Sequence, residues 1–521
     1  MNACSRRYTL GLIALLALVL ALTYRGWPSA DGEYFLNEAE ALLDQGHLGH
    51  DAISSNHQAF YRQAADGRFY GQSNEALMTI SLIPFVAAAR ALQSALPDAY
   101  DALAPPFVAG LHAACFALFS AWLLIVIARR NGFAEKVAWL AALLFIVSTP
   151  MLHYSGRLFR DPMIVALFLL AFDRAQVWLA RSSGRNALYF GLAMLVLMAA
   201  RPPQALLLVA VVAGLATLGR ASKVRTALLC ALGLGLGFTL RAIWSASFTE
   251  PALNVDASSF SAIVERAFSD LSGSENLSAA GDAHEAIVAW WVPLARLAGM
   301  LVSPGAGLVF TAPLVVLGLV WAWRERTRKA ALAKACLAIM ALSLLGFAFY
   351  AAWFSGSWGV RYLLPAMALP CLFAAQALVR LRWPALRAAI LGLALAIGIA
   401  GTLVNDRATV NHAPSFDASV TRRDQVWSFE HMPLVSHAKR VVAPDWSPLN
   451  QEALRHGWPS ARRGVLAGWV PVWAIAYRAG VAGVLPLLAA AVLALLAAAL
   501  AWWLARANPE NECSFSRQSQ D

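Results

Sequence analysis

Charge is what this chain has least of: Asp, Glu, Lys and Arg make up 14% of its 521 residues, while 59% are hydrophobic. A soluble protein of this length would divide into domains whose helices each keep a polar stripe. The segments 9–23 and 482–501 have no polar face, so they must be covered on all sides, most simply by lipid. Cysteine is also sparse. Cys4, Cys115, Cys230, Cys336, Cys371 and Cys513 fit the spacing of neither a metal site nor a disulfide framework, and none lies in a long connection between apolar runs. No structural disulfide is therefore expected. A Gly-rich phosphate loop, a nucleophile elbow, a His-rich metal signature and an internal repeat are all missing. The formal charge of +11 would suit nucleic acid, but the basic residues stand in short clusters between apolar runs rather than along one face. That pattern reports membrane orientation and no nucleic-acid partner.

What is present is a series of long apolar runs, predicting an all-α integral membrane protein. Twelve spans are expected, at 8–24, 107–128, 137–153, 162–180, 187–200, 203–218, 226–248, 307–323, 330–354, 362–379, 388–404 and 481–505. The first follows Arg6 and Arg7, is longer than a signal peptide needs and has no small-residue cleavage site after it. It reads as a retained span with a cytoplasmic N-terminus. The apolar run 76–96 is ambiguous: hydropathy makes it a span, yet its centre holds Pro84, its far half holds Arg90, and counting it would put Arg129, Arg130 and Lys136 outside. Laid in the outer interface, it leaves every short basic cluster on the inner side, from Arg129/Arg130 through Arg181/Arg185, Arg220/Lys223/Arg225 and Arg324–Lys329 to Arg380/Arg382/Arg387. The organisation is then a transmembrane core over 1–404, with outer loops 25–106, 154–161 and 249–306. An outer, periplasmic segment 405–480, a last span 481–505 and a polar cytoplasmic tail 506–521 follow. Within the outer segment, 465–477 is either interfacial or a thirteenth span.

Chemistry-bearing residues concentrate in the outer loops. After the first span the chain reads Asp31-Gly32-Glu33-Tyr34-Phe35, in a stretch that Ser29 or Asp31 can cap and Gly46 can stop as a helix on the membrane surface. On their own, Asp31 and Glu33 are readable as acids complementing a helix N-terminus. The second outer loop, 154–161, places Arg157, Arg160 and Asp161 at a span's mouth, where Asp161 also suits the cap of a helix opened by Pro162. Two arginines at an outward mouth run against the inside charge rule and ask for an anion, of which a lipid phosphate is the natural candidate. Arg201 before Pro202-Pro203, Arg241 near the outer end of its span, and Arg361-Tyr362 after Trp358-Gly359-Val360 complete an outward basic rim. Each could instead snorkel to headgroups.

In order, these pieces resemble the GT-C glycosyltransferases, the multi-span enzymes that include protein O-mannosyltransferases and the aminoarabinose transferases of lipid A. The resemblance rests on Asp31-Gly32-Glu33-Tyr34, on Asp161, on Arg201-Pro202, on Ser303-Pro304-Gly305-Ala306-Gly307-Leu308 and on Trp358-Gly359-Val360-Arg361-Tyr362-Leu363-Leu364-Pro365, covering about two thirds of the chain. It implies a GT-C-like multi-span bundle in a bacterial inner membrane. The implied reaction moves a sugar from a polyprenyl-phosphate-linked donor to an acceptor glycan, lipid or protein at the outer face, with inversion. Asp31 would be the general base, with Glu33 and Asp161 as supporting acids. Arg157, Arg160 and Arg361, and more weakly Arg201 and Arg241, would hold the donor phosphate, and Tyr34, Arg68 and Tyr362 the substrate. Glu33 either only supports that base, with no cofactor, or joins Asp31 in a metal-binding pair that would take a divalent Mg or Mn. Where many members carry a Lys-Pro-Pro or Tyr-Pro-Pro element this chain has Tyr70-Gly71-Gln72-Ser73-Asn74-Glu75, leaving Arg68 to replace that contact.

Other classes share some of these features. A transporter or flippase of a lipid-linked saccharide would have the same span count and basic rim, but calls for mid-span charges and often a repeat. A polysaccharide polymerase or ligase would lean on outer-loop arginines and a histidine, for which His412, His431, His437 and His456 are available.

Overall fold

The computed structural model describes residues 3–24, 30–49, 61–63, 67–71, 76–94, 104–217, 222–244, 291–350, 358–403, 426–429 and 432–435. The expectations for the rest of 405–480 with its histidines, for 465–477, for the span 481–505 and for the tail 506–521 lie outside the described residues. The helices, in chain order, are α1 (Ala3–Leu22), α2 (Ala30–Gln45), α3 (Ala76–Gln93), α4 (Ala104–Arg130), α5 (Glu135–Val147), α6 (Met151–Ser155), α7 (Asp161–Ala180), α8 (Gly184–Ala200), α9 (Pro202–Ala216) and α10 (Lys223–Trp244). They continue as α11 (Trp291–Val302), α12 (Leu308–Thr311), α13 (Pro313–Arg324), α14 (Ala330–Ala348), a 3₁₀ turn (Arg361–Leu363), α15 (Leu364–Arg380) and α16 (Pro384–Leu403).

Composition sorts these helices into layers. Helix α15 is apolar all round, and 94% of the 18-residue window that includes it is buried; it sits at the centre against α5, α7, α13 and α14. On α10, Leu228, Leu232, Leu236 and Leu240 recur every four residues and are all exposed, a stripe that faces lipid. Seven described helices (α3, α4, α7, α10, α14, α15 with its preceding turn, and α16) are long and apolar enough to cross a membrane, and α1, α8, α9, α11 and α13 are shorter apolar helices. The chain is a multi-pass membrane protein.

Several expected elements change form. The run expected to span at 137–153 is two pieces: α5 has 13 residues, roughly 20 Å at helical rise, and ends in a turn before the single turn of α6. The run 307–323 breaks at Ala312, because Pro313 opens a new helix and has no N–H to continue the old one. Helix α11 lies in what reads from sequence as outer loop. The first loop also holds a small antiparallel hairpin, Tyr61–Gln63 with Phe69–Gly71, paired Arg62 opposite Tyr70, so the chain is not purely α.

Consecutive helices alternate between two ends of the bundle. At one end Arg130 and Asp173 pair, Lys329 Nζ donates to the Asn131 carbonyl at 2.7 Å, Arg380 to Glu325 at 2.7 Å, and Arg129 to Thr9 of α1 at 2.7 Å. This basic end gathers the C-termini of α4, α13 and α15. At the opposite end the Tyr24 hydroxyl donates to the Phe107 carbonyl, so α1 ends where α4 begins. Helices α2 and α3 therefore leave and rejoin the bundle at the same end. Since α2 carries five carboxylates in 16 residues, it is unsuited to hydrocarbon, and α3 has no partner crossing that would make it a span. Length and hydropathy alone would count α3 as a span, whereas the return of the chain to Phe107 matches the interfacial placement expected from charge.

Candidate functional site

The end opposite the basic clusters collects the residues singled out in sequence. The connection from α6 to α7, residues 156–160, folds against the loop 358–363. The Tyr154 hydroxyl donates to the Trp358 carbonyl at 2.9 Å, and the His153 ring stacks on Trp358 with centroids 6.5 Å apart. His153 Nδ1 lies 2.5 Å from the Gly401 carbonyl, which can only accept, so that nitrogen carries the proton. Nε2 is then bare and accepts from Arg157 Nη2 at 2.6 Å. A neutral histidine thus holds the Arg157 guanidinium without cancelling its charge.

Phe159 joins this arginine to a second. Arg157 and Arg361 stand over its ring at 5.3 and 5.2 Å from the centroid, and both side chains are buried, at 4% and 8% exposure. Arg361 also donates to the Tyr362 hydroxyl at 3.0 Å. Around Tyr362 stand Phe347, stacked at 5.3 Å, and Tyr350, edge-on at 5.3 Å. Arg160 and Arg201 act electrostatically on both Tyr350 and Tyr362. Burial, first, and the neighbouring Tyr362 push the Tyr350 phenol up, so it stays a neutral hydrogen-bonding group. Arg157, Arg160, Arg201 and Arg361 therefore converge on one aromatic cluster. A phosphate is the ligand whose oxygens match several guanidinium forks at once.

The first loop reaches this cluster through α2. That helix ends where Gly46 turns left-handed, at φ 69°, as the stop in the sequence predicted. Its first turn lies on the α6–α7 connection so closely that a Cβ added to Gly32 would sit 2.2 Å from the Leu158 carbonyl oxygen. Only glycine allows that approach. Asp31 and Glu33 flank Gly32 in α2; their side chains lie outside the described residues. Behind them Tyr34 is buried against Phe35, and Glu38, also buried, accepts from Thr79 of α3 at 2.7 Å.

The other expected site residues take different places. Asp161 is buried in the first turn of α7, directly before Pro162, where a carboxylate complements the helix dipole. Arg241 donates to the Ala199 carbonyl at 3.2 Å, tying α10 to the last turn of α8 just before Arg201. Arg68, beside the hairpin, meets His47 Nε2 at 2.7 Å after α2. Among the described residues no group of three His, Cys, Asp or Glu side chains gathers. Sequence reasoning missed His153 and Phe159. Neither carried a signal in the sequence, since Arg157 lies beyond the end of α6 and meets His153 only through the fold of the connection.

No protein-family model matches the chain, and no curated protein matches it. Among solved structures it is similar to ArnT from Cupriavidus metallidurans in the apo state, with 16% identity and a TM-score of 0.45 over 95% of this chain and 77% of that one. It is similar also to the same protein bound to undecaprenyl phosphate, with 13% identity and a TM-score of 0.47 over 94% of this chain and 77% of that one. Identities and scores this low identify neither a substrate nor a reaction.

Proposed function

We propose that the chain is a membrane glycosyltransferase that takes a sugar from a polyprenyl-phosphate-linked donor and delivers it, with inversion, to an acceptor hydroxyl or amine. The observation that carries this reading is the contact of Gly32 with Leu158, which brings the acidic motif of α2 onto the loop holding Arg157 and Arg160. A base and an anion cradle on adjoining segments are what a displacement at an anomeric carbon requires.

In the proposed step the acceptor oxygen or nitrogen attacks the anomeric carbon and gives its proton to the Asp31 carboxylate. The bond between that carbon and the phosphate oxygen breaks, and the phosphate leaves with the electron pair. Arg157 and Arg361, held in place by His153, Phe159 and Tyr362, are preorganised for the charge that grows on the leaving oxygen. Arg160 and Arg201 add to the same field. Glu33 supports the base, and if a Mg or Mn ion takes part it sits on this acid pair. By the inside charge rule the basic end faces the cytoplasm and the site faces outward, in a bacterial inner membrane.

The buried acid within a span, Asp173, does not favour a transporter. It pairs with Arg130 and Arg174, next to the basic end, and so serves packing between α4 and α7. The deciding experiment is transfer of radiolabelled sugar from a polyprenyl-phosphate donor by the purified chain in proteoliposomes, comparing wild type with Asp31→Asn. Transfer that is lost in the variant supports the reading. Equal transfer in both removes Asp31 as base, and lipid-linked sugar crossing the bilayer without transfer would replace the enzyme by a flippase.

A further inference from the structure

The basic end carries a feature the proposed reaction does not use. Helix α13 ends in Trp321, Trp323 and Arg324, and α16 begins just after Arg382 and Trp383. Trp323 and Trp383 are 58% and 70% exposed, large aromatic surfaces that water would not favour but a headgroup layer would. Arg326 lies 4.3 Å from the centroid of the exposed Trp323, and Arg324 and Arg380 lie 5.7 and 5.9 Å from that of the half-buried Trp321. The Trp321 indole N–H is buried and has no acceptor among the described residues.

Charge is uncompensated here. The buried carboxylate Glu325 is taken by Arg380 at 2.7 Å. Among the described residues Arg324, Arg382 and Arg387 pair with no carboxylate, and Arg387 lies near enough to Lys136 for the two charges to act on each other. Cations without a carboxylate partner at the ends of apolar helices, beside the exposed Trp323 and Trp383, match a ligand with a phosphate at headgroup depth and acyl chains along the bundle.

We propose that the surface formed by the end of α13 and the start of α16 is a binding site for the headgroup of an anionic phospholipid, independent of the sugar-transfer reading. The test uses the full-length chain in detergent, counting bound lipid by native mass spectrometry and following thermal unfolding with added phosphatidylglycerol, phosphatidylcholine or inorganic phosphate. Phosphatidylglycerol is expected to bind and raise the melting temperature, while the other two leave it unchanged. Arg324→Gln, Arg382→Gln and Arg387→Gln should each weaken binding about fivefold, and roughly a hundredfold together. Arg181→Gln with Arg185→Gln, at the same end on another connection, should leave it intact. If the triple variant does not fold, the single variants still report the loss. Equal stabilisation by phosphatidylcholine, reproduction of the shift by inorganic phosphate, or binding undiminished in the arginine variants overturns the proposal.

Discussion

Arg157 and Arg361 matter at the scale of single residues because their charge is buried and their position is set by others. Substituting either with Gln keeps much of the volume and some donors but removes the charge that, in the proposed reaction, would face the leaving phosphate. Transfer is expected to slow about 10²- to 10³-fold, with kcat falling more than KM rises and the melting temperature little changed; a rise in KM alone would make these arginines mere binding groups. Asp173 is the contrasting case. It is wholly buried, and its carboxylate meets both Arg130 and Arg174. Asp173→Asn leaves two cations facing an amide, so it should cost about 3 kcal/mol of stability, read as a lowered melting temperature in detergent. Transfer per folded molecule should hold.

Between elements, the approach of α2 to the α6–α7 connection is the hinge of the functional reading. Gly32→Val places branched carbon where the Leu158 carbonyl already sits, and α2 must tilt away. A displacement of about 1 Å at a catalytic acid is enough to lose on the order of 10²-fold in rate. The expected result is a transfer-deficient protein that still unfolds cooperatively near the wild-type temperature, because α2 also packs on α3 through Glu38 and Thr79. Normal transfer by Gly32→Val would mean that this contact does not position the base. The split of 307–323 into α12 and α13 belongs to the same scale. The apolar pattern runs on through Ala312, and only the missing N–H of Pro313 shows where the hydrogen-bond ladder stops.

For the whole molecule the testable quantity is sidedness. With native cysteines removed, Gln45→Cys at the end of α2 should react with a membrane-impermeant maleimide in intact spheroplasts. Ser182→Cys, between α7 and α8, should react only after permeabilisation. The reverse pattern would invert the bundle and place the arginine cluster on the cytoplasmic side. The same architecture explains why α5, though only 13 residues long, is stable: it is buried over Val137–Val147 among α1, α4 and α15, and so is not required to match the bilayer.

Much of this was legible from residues alone, because it depends on local composition. Long apolar runs mark helices, basic clusters mark one end, and Pro and Gly mark starts and stops, as Pro162, Pro202 and Gly46 do. The sequence likewise pointed to Arg157, Arg160, Arg201 and Arg361 as charges out of place for their side of the membrane. It could not tell which of them meet. Arg157 and Arg361 are 204 residues apart, and Phe159 joins them only once α6, α7 and the 358–363 loop are packed. Local pattern determines which elements form and which end each charge occupies, whereas the convergence of charges from distant segments is a property of packing, and that only the tertiary structure decides.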